Sequence, residues 1–81
     1  MYVLVKEPIS VVAIFSSGKI IPRFFIWKKR KYSIEEVTYL WRTKIGSVPI
    51  IHFSVTTEKT FYEISYNLKS FNWQLEKLYV A

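Results

Sequence analysis

The chain has 81 residues, which is enough for one domain and too few for two. Hydrophobic residues make up 51% and aromatic residues 19% of it, a composition that supplies a core and excludes a disordered chain. Twelve Lys and Arg residues stand against six acidic residues, all of them Glu, for a formal net charge of +6. This charge favours polyanionic partners: nucleic acid, an anionic membrane surface or an acidic protein.

Cysteine is absent, which excludes disulfides, thiolate nucleophiles and cysteine-ligated zinc. Small secreted domains are usually held together by disulfides, so we expect a cytoplasmic protein. The apolar start at residues 1–5 is interrupted by Lys6-Glu7-Pro8. It is too short for the core of a signal peptide or for a membrane span, and no membrane association is expected.

The first third of the chain predicts two strands joined by a tight turn. Residues 9–16 include the run 11–15, which is apolar on both faces and typical of a central or doubly covered strand. The turn at residues 17–19 contains a glycine, which adopts positive φ at little cost. In the next strand, residues 20–27, Pro22 lacks an N–H and predicts an edge position or a bulge.

Four consecutive cations follow the second strand and lie between two aromatic residues. Such a run cannot lie in a core, so it predicts an exposed hairpin tip. The cations suit phosphate contacts and the rings suit base stacking. Alternatively, the rings pair across the strands and the lysines form a solvated turn. The candidate nucleic-acid-binding residues are these six and two basic residues further along the chain: Trp27, Lys28, Lys29, Arg30, Lys31, Tyr32, Arg42 and Lys44.

Residues 33–45 allow two interpretations. Ser33-Ile34-Glu35-Glu36 fits a helix capping box, and the apolar residues from Ile34 to Trp41 share one helical face. By contrast, Val37, Tyr39 and Trp41 are β-prone and alternate like one face of a strand. We favour a strand with a bulge near Glu35-Glu36, and keep a helix at 33–45 in an α+β fold as the alternative.

The second half predicts strands at residues 48–55, 60–66 and 73–80, separated by turns at 43–47 and 56–59 and a loop at 67–72. The whole chain, residues 1–81, is therefore expected to be one all-β domain. Its architecture is an antiparallel meander of about six strands that forms a partly open barrel or a curled sheet. Four large aromatic residues are expected in the core: Trp41, Phe53, Phe61 and Trp73.

Catalytic machinery is not visible in the sequence. His52 is the single histidine and there is no Asp, so a hydrolase triad would have to combine Ser54, His52 and Glu63 without a nucleophile-elbow motif. We expect His52 to be structural, on the strand face opposite its apolar neighbours. Glu35 and Glu36 would point to opposite faces of a strand and do not form a carboxylate pair. No metal site, Gly-rich phosphate loop or cofactor is predicted.

The residues from Pro22 to Tyr79 resemble an uncharacterised family of small bacterial proteins. The resemblance is carried by a Phe-x-Trp-basic-x-basic-x-Tyr hairpin at residues 25–32, a Tyr-Glu-Ile segment at 62–64 and a Trp-x-Leu strand at 73–75. The chain departs from that pattern by lacking a Gly in the basic turn and by having Asn67 in a region that is often Asp-rich. The resemblance implies an all-β fold but no assigned activity. Some members are neighbours of lesion-bypass polymerase genes, which points to nucleic acid.

Together these features predict a non-enzymatic module that binds DNA or RNA in a salt-sensitive way through the basic hairpin tip. The alternative is a protein-interaction or homo-oligomeric module, in which residues 1–5 pair across a dimer. No small-molecule substrate is indicated.

Overall fold

The computed structural model describes residues 1–80 and shows an all-β domain. The strands form one open antiparallel sheet in the order β3-β2-β1-β7-β6-β5-β4. Their bounds are β1 Tyr2–Ser16, β2 Lys19–Trp27, β3 Arg30–Ser33, β4 Glu36–Ile45, β5 Val48–Thr57, β6 Thr60–Asn67 and β7 Trp73–Tyr79. Within residues 1–80 there is no helix of the length and apolarity that crossing a membrane requires.

Residues 33–45 belong to strands, and the alternative of a helix there is wrong. β3 and β4 are separated only by Ile34 and Glu35, where the bulge was predicted. The Ile34 N–H donates to the carbonyl of Arg23 at 2.9 Å, and the Glu35 N–H donates to the carbonyl of Thr56 at 2.8 Å. A helix would leave these two acceptors without their partners. The division at this point gives seven strands where about six were expected.

The long strand β1 is shared between two parts of the sheet. Residues 2–9 pair with β7, and residues 10–16 pair with β2. The ladder with β7 shifts register between Leu4 and Glu7, and Lys6 there has a φ of 55°. The extra residue bends the strand, so its two halves run along different neighbours.

β1 is central, as predicted, but it is covered on one face only. Val11 and Ala13 pack against the core, whereas Val12 and Ile14 are about half exposed. Of the two possibilities that the sequence allowed, the central position is the one found. Pro22 pairs with Ala13 next to a register shift. Because β2 lies inside the sheet, a bulge accommodates the missing N–H of this proline.

The sheet bends over itself, and the core lies inside the bend. Phe25 of β2 and Tyr62 of β6 have ring centroids 5.4 Å apart, and Tyr32 of β3 is 5.6 Å from Tyr62. In a flat sheet β2 and β6 would be about 14 Å apart, since neighbouring strands are separated by about 4.8 Å. The residues at the centre of this core are Phe25, Ile51, Phe53, Val55, Tyr62, Ile64, Tyr66, Trp73 and Leu75.

Two of the four aromatic residues expected in the core lie elsewhere. Phe53 and Trp73 are buried in it, whereas Phe61 is 46% exposed because its neighbour Tyr62 takes the inward position on β6. Trp41 pairs with His52 on the outer face, where the two rings stack with centroids 5.1 Å apart. His52 thus lies on the face opposite the buried Phe53, where it was predicted.

Replacing Ile64 by Val should cost about 0.5–1.5 kcal/mol of unfolding free energy, because the side chain is fully buried and one methylene leaves a small cavity. Urea unfolding followed by tryptophan fluorescence measures the loss. Ile45→Val is the matched control, since Ile45 is 72% exposed and should change stability by less than about 0.5 kcal/mol. Equal losses in the two variants would contradict the placement of the core.

Candidate nucleic-acid interface

The basic hairpin tip is a two-residue turn with an unusual backbone. Lys28 and Lys29 connect β2 to β3, and their φ angles are 51° and 64°. Positive φ at both central residues is the type I′ hairpin geometry, which strongly favours Asn-Gly. A side chain with a Cβ costs roughly 1–2 kcal/mol in the left-handed region. The turn therefore holds two lysines at positions where other residues would be more stable.

A second turn of the same kind lies beside it. Glu58 and Lys59 join β5 to β6 with φ angles of 49° and 65°. Arg30 Nη2 lies 3.2 Å from the Glu58 carboxylate, and both side chains are largely exposed. This ion pair places the two turns at the same end of the molecule. We call this end of the molecule the tip surface; its cations are Lys28, Lys29, Arg30, Lys31 and Lys59, with Arg30 and Lys31 on opposite faces of β3.

The two predicted stacking rings are engaged within the protein. Tyr32 stacks on Phe25 with centroids 4.9 Å apart and planes 9° apart. The Trp27 Nε1–H donates to the Glu7 carboxylate at 2.9 Å. Trp27 and Tyr32 also contact each other at 6.1 Å. In the structure these two rings therefore pack across strands β2 and β3, which is the alternative to base stacking that the sequence allowed.

Three cations of the tip surface lie over aromatic rings. Lys28 Nζ is 5.1 Å from the centre of the Trp27 ring, and the Arg30 guanidinium is 5.1 Å from that of Tyr32. Lys31 Nζ lies 4.3 Å from the Phe24 ring. Cation–π attraction reduces the motion of these long side chains. The rings thus hold positive charge in place at the hairpin.

Positive charge at the tip surface is hardly neutralised. Among residues 1–80, its only salt bridge is the one between Arg30 and Glu58. Of the five cations, only Arg30 therefore has a carboxylate within salt-bridge distance. Such a local excess of one sign attracts anions and is screened by salt.

Arg42 and Lys44 lie away from the tip surface. Arg42 lines a groove together with Lys19, the first residue of β2, whereas the hairpin tip follows the last residue of that strand. Lys44 pairs with Pro49, whose carbonyl accepts a hydrogen bond from Leu68, another residue of the groove. β2 has nine residues and spans about 26 Å. The structure therefore does not bring these two cations to the hairpin.

A polar array crosses the outer face of β4, β5 and β6. Thr43 Oγ1 lies 2.7 Å from His52 Nε2, and His52 Nδ1 lies 3.3 Å from the Glu63 carboxylate. A carboxylate only accepts, so Nδ1 carries the proton, and in the neutral ring Nε2 accepts from the Thr43 hydroxyl. Lys77 Nζ is 3.5 Å from the second Glu63 oxygen.

The order hydroxyl, imidazole, carboxylate matches that of a hydrolase triad, with Thr43 in place of the Ser54 considered from the sequence. The Trp41 ring covers one face of the imidazole. The Glu63 carboxylate contacts both His52 and Lys77. It therefore provides a partner for each of these polar groups as well as orienting the imidazole ring. Thr43 belongs to another strand, and the strand register that brings it to His52 is invisible in the sequence.

A second polar cluster surrounds Glu76 on the same face. Its carboxylate accepts hydrogen bonds from Ser65 Oγ at 2.6 Å, Lys6 Nζ at 2.9 Å and Gln74 Nε2 at 3.1 Å. Burial by itself raises the pKa of Glu76, but the hydrogen bonds from Ser65 and Lys6, together with the Lys6 charge, bring that pKa below its ordinary value of 4.5. The same contact raises the pKa of Lys6.

Over the described part of the chain, no three His, Cys, Asp or Glu side chains come together as metal ligands. Comparison with protein-family models, with curated proteins and with solved structures finds no match.

Acid should destabilise the protein partly through Glu76. Because the folded-state pKa is below the unfolded-state value, the carboxylate contributes stability above about pH 4.5, and this contribution is lost as the pH falls through the folded-state pKa. Urea unfolding midpoints measured from pH 5 to pH 3 should fall less steeply in Glu76→Gln than in the parent protein. Glu36→Gln, at an exposed residue, should keep the parent's slope. Identical slopes in all three proteins would show that Glu76 does not contribute to the loss of stability in acid.

Proposed function

We propose that this protein is a non-enzymatic module that binds nucleic acid through phosphate contacts made by the tip surface. The observation that carries the proposal is the pair Lys28-Lys29 in a turn geometry that favours Asn-Gly. Left-handed backbone at non-glycine residues is costly and is concentrated at functional sites. The Lys28-Lys29 turn is less stable than an Asn-Gly turn would be, and it presents two ammonium groups at the end of the hairpin.

The geometry supports phosphate recognition more than base recognition. Tyr32 stacks on Phe25 and has Arg30 over its ring, and Lys28 lies over the Trp27 ring, so less ring surface is open to bases. Ammonium groups on a turn reach the backbone of DNA or RNA whatever its sequence. We therefore infer weak binding with little sequence preference, to either nucleic acid.

Salt dependence follows directly from this mechanism. If about four phosphates are neutralised, affinity falls roughly 50- to 150-fold between 50 and 200 mM salt, the smaller factor applying to single strands. Fluorescence anisotropy with labelled single- and double-stranded oligonucleotides gives the affinity at each salt concentration. Binding that does not change with salt would contradict the proposal.

The double variant Lys28→Asn/Lys29→Gly should separate stability from binding. It restores the favoured type I′ residues and should raise the unfolding free energy by about 1–2 kcal/mol. It also removes two phosphate contacts, so affinity should fall and the salt slope should decrease by about 2. Lys44→Ser/Lys69→Ser loses the same net charge at the other end of the molecule and should bind like the parent. If this control weakens binding equally, net charge rather than the tip surface is responsible.

Glu58→Gln should strengthen binding a few-fold. The substitution releases Arg30 from its ion pair and removes the one carboxylate that neutralises the tip surface, so the salt slope should rise by about 1. Ser70→Lys is the matched control, because it raises the net charge equally in the opposite loop. A gain in Ser70→Lys as large as that in Glu58→Gln would argue against a localised site.

A protein-interaction module is the second candidate, and the free edge of β4 favours it. This ten-residue strand pairs only with β5, and it carries the exposed side chains of Tyr39, Leu40 and Ile45. The dimer predicted through residues 1–5 is a different arrangement, since residues 2–4 already pair with β7 on one side. Sedimentation velocity at high micromolar concentration distinguishes a dimer from a monomer.

A further inference from the structure

A groove of about 820 Å³ lies at the end of the sheet opposite the tip surface. Its floor includes the buried core residues Ile51, Phe53 and Tyr66. At its rim are the largely exposed rings of Phe15 and Phe71, 58% and 70% accessible. The volume lies in the range of small-molecule sites, and an apolar floor of this kind is typical of them.

The backbone at the rim is strained where the loop between β6 and β7 closes. Phe71 has a φ of 62°, a conformation that is rare for a bulky residue. The loop holds it there, because the Asn67 side chain accepts from the N–H groups of Lys69 and Ser70, and the Phe71 N–H donates to the Asn67 carbonyl. The strain does not bury the ring. Its visible effect is to place an aromatic side chain at the mouth of the groove.

Charge indicates what kind of molecule fits. Lys19 and Arg42 are part of the lining, which includes no carboxylate, and neither makes a salt bridge within residues 1–80. We propose that the groove binds a small amphipathic carboxylate, with its apolar chain on the floor and its anionic head at Arg42. Arginine suits this role because its guanidinium can pair with a carboxylate through two hydrogen bonds.

Other occupants fit less well. A nucleobase would bring its polar edge groups against the side chains of Ile51 and Phe53, where they would lose hydrogen bonds. A second copy of the chain would bring together two molecules that each have a net charge of +6. The groove is therefore a site of its own and does not depend on nucleic-acid binding at the tip surface.

Titration calorimetry with octanoate, decanoate and dodecanoate, kept below their micelle concentrations, tests the proposal. Each pair of added methylenes should tighten binding by about 15-fold while the chain remains on the floor, since one buried methylene gives about fourfold. Dodecanol, which has the same chain without the charge, should bind at least tenfold more weakly than dodecanoate. Arg42→Gln should reduce that difference several-fold, since Lys19 is then the one cation left in the lining. Equal binding of the acid and the alcohol to the parent protein would overturn the proposal.

Phe71→Gly tests the role of the strained ring. Glycine tolerates the positive φ, so this variant should be more stable than the parent while binding dodecanoate several-fold more weakly. Phe61→Ser, which removes an exposed ring outside the groove, should leave dodecanoate binding unchanged. Amide chemical-shift changes on adding dodecanoate should map to residues 17–21 and 68–71. Changes confined to the tip surface, or a dimer that closes the groove in sedimentation, would overturn the proposal.

Discussion

The whole structure depends on the way β1 divides its pairing between two neighbours. Its first half completes the ladder with β7, and its second half begins the ladder with β2. The register shift around Lys6 turns the second half, which carries β2 and β3 over the core. Phe25 then reaches Tyr62, three strands away in the sheet order. Without that bend, Phe25 would lie on an exposed sheet face, and an 81-residue chain would have too little buried area for a stable core.

How far the sequence predicts this fold depends on the range of the interaction concerned. Strand positions follow from alternation, and the break at Ile34 and Glu35 lies next to the bulge predicted near Glu35-Glu36. The capping-box pattern at Ser33 failed to make a helix because the Glu35 amide bonds to Thr56, a partner 21 residues away that only the folded sheet supplies. Trp41 was misplaced for the same reason, since its choice of face is set by pairing with His52.

At the candidate site, too, the sequence predicts local features but not contacts between distant segments. Composition and charge indicated the hairpin cations, and the structure places them together. The contribution of Lys59 was invisible, because it depends on two turns being brought side by side through Arg30 and Glu58. Arg42 was grouped with the hairpin cations, but in the structure it lines the groove together with Lys19. Which charged residues become neighbours depends on how strands far apart in the sequence pair with one another. The local pattern of a single sequence does not show this pairing.

Left-handed backbone is frequent in this chain, and it occurs at turns, at a loop and at the bend of β1. The described residues include seven non-glycine positions with positive φ. At Lys6 the conformation serves the bend of β1, and at Ser17 it forms a turn with Gly18. Lys28 and Lys29 form the turn that pairs β2 with β3, and Phe71 closes the loop between β6 and β7, so positive φ has a structural reason there too. The unusual feature is the residue type, since glycine or asparagine suits such backbone better, and all three side chains are exposed at the two ends of the sheet. Two lysines and a phenylalanine at positions that favour asparagine or glycine, the lysines in a basic turn and the phenylalanine at the rim of an apolar groove, are the features from which the two binding proposals start.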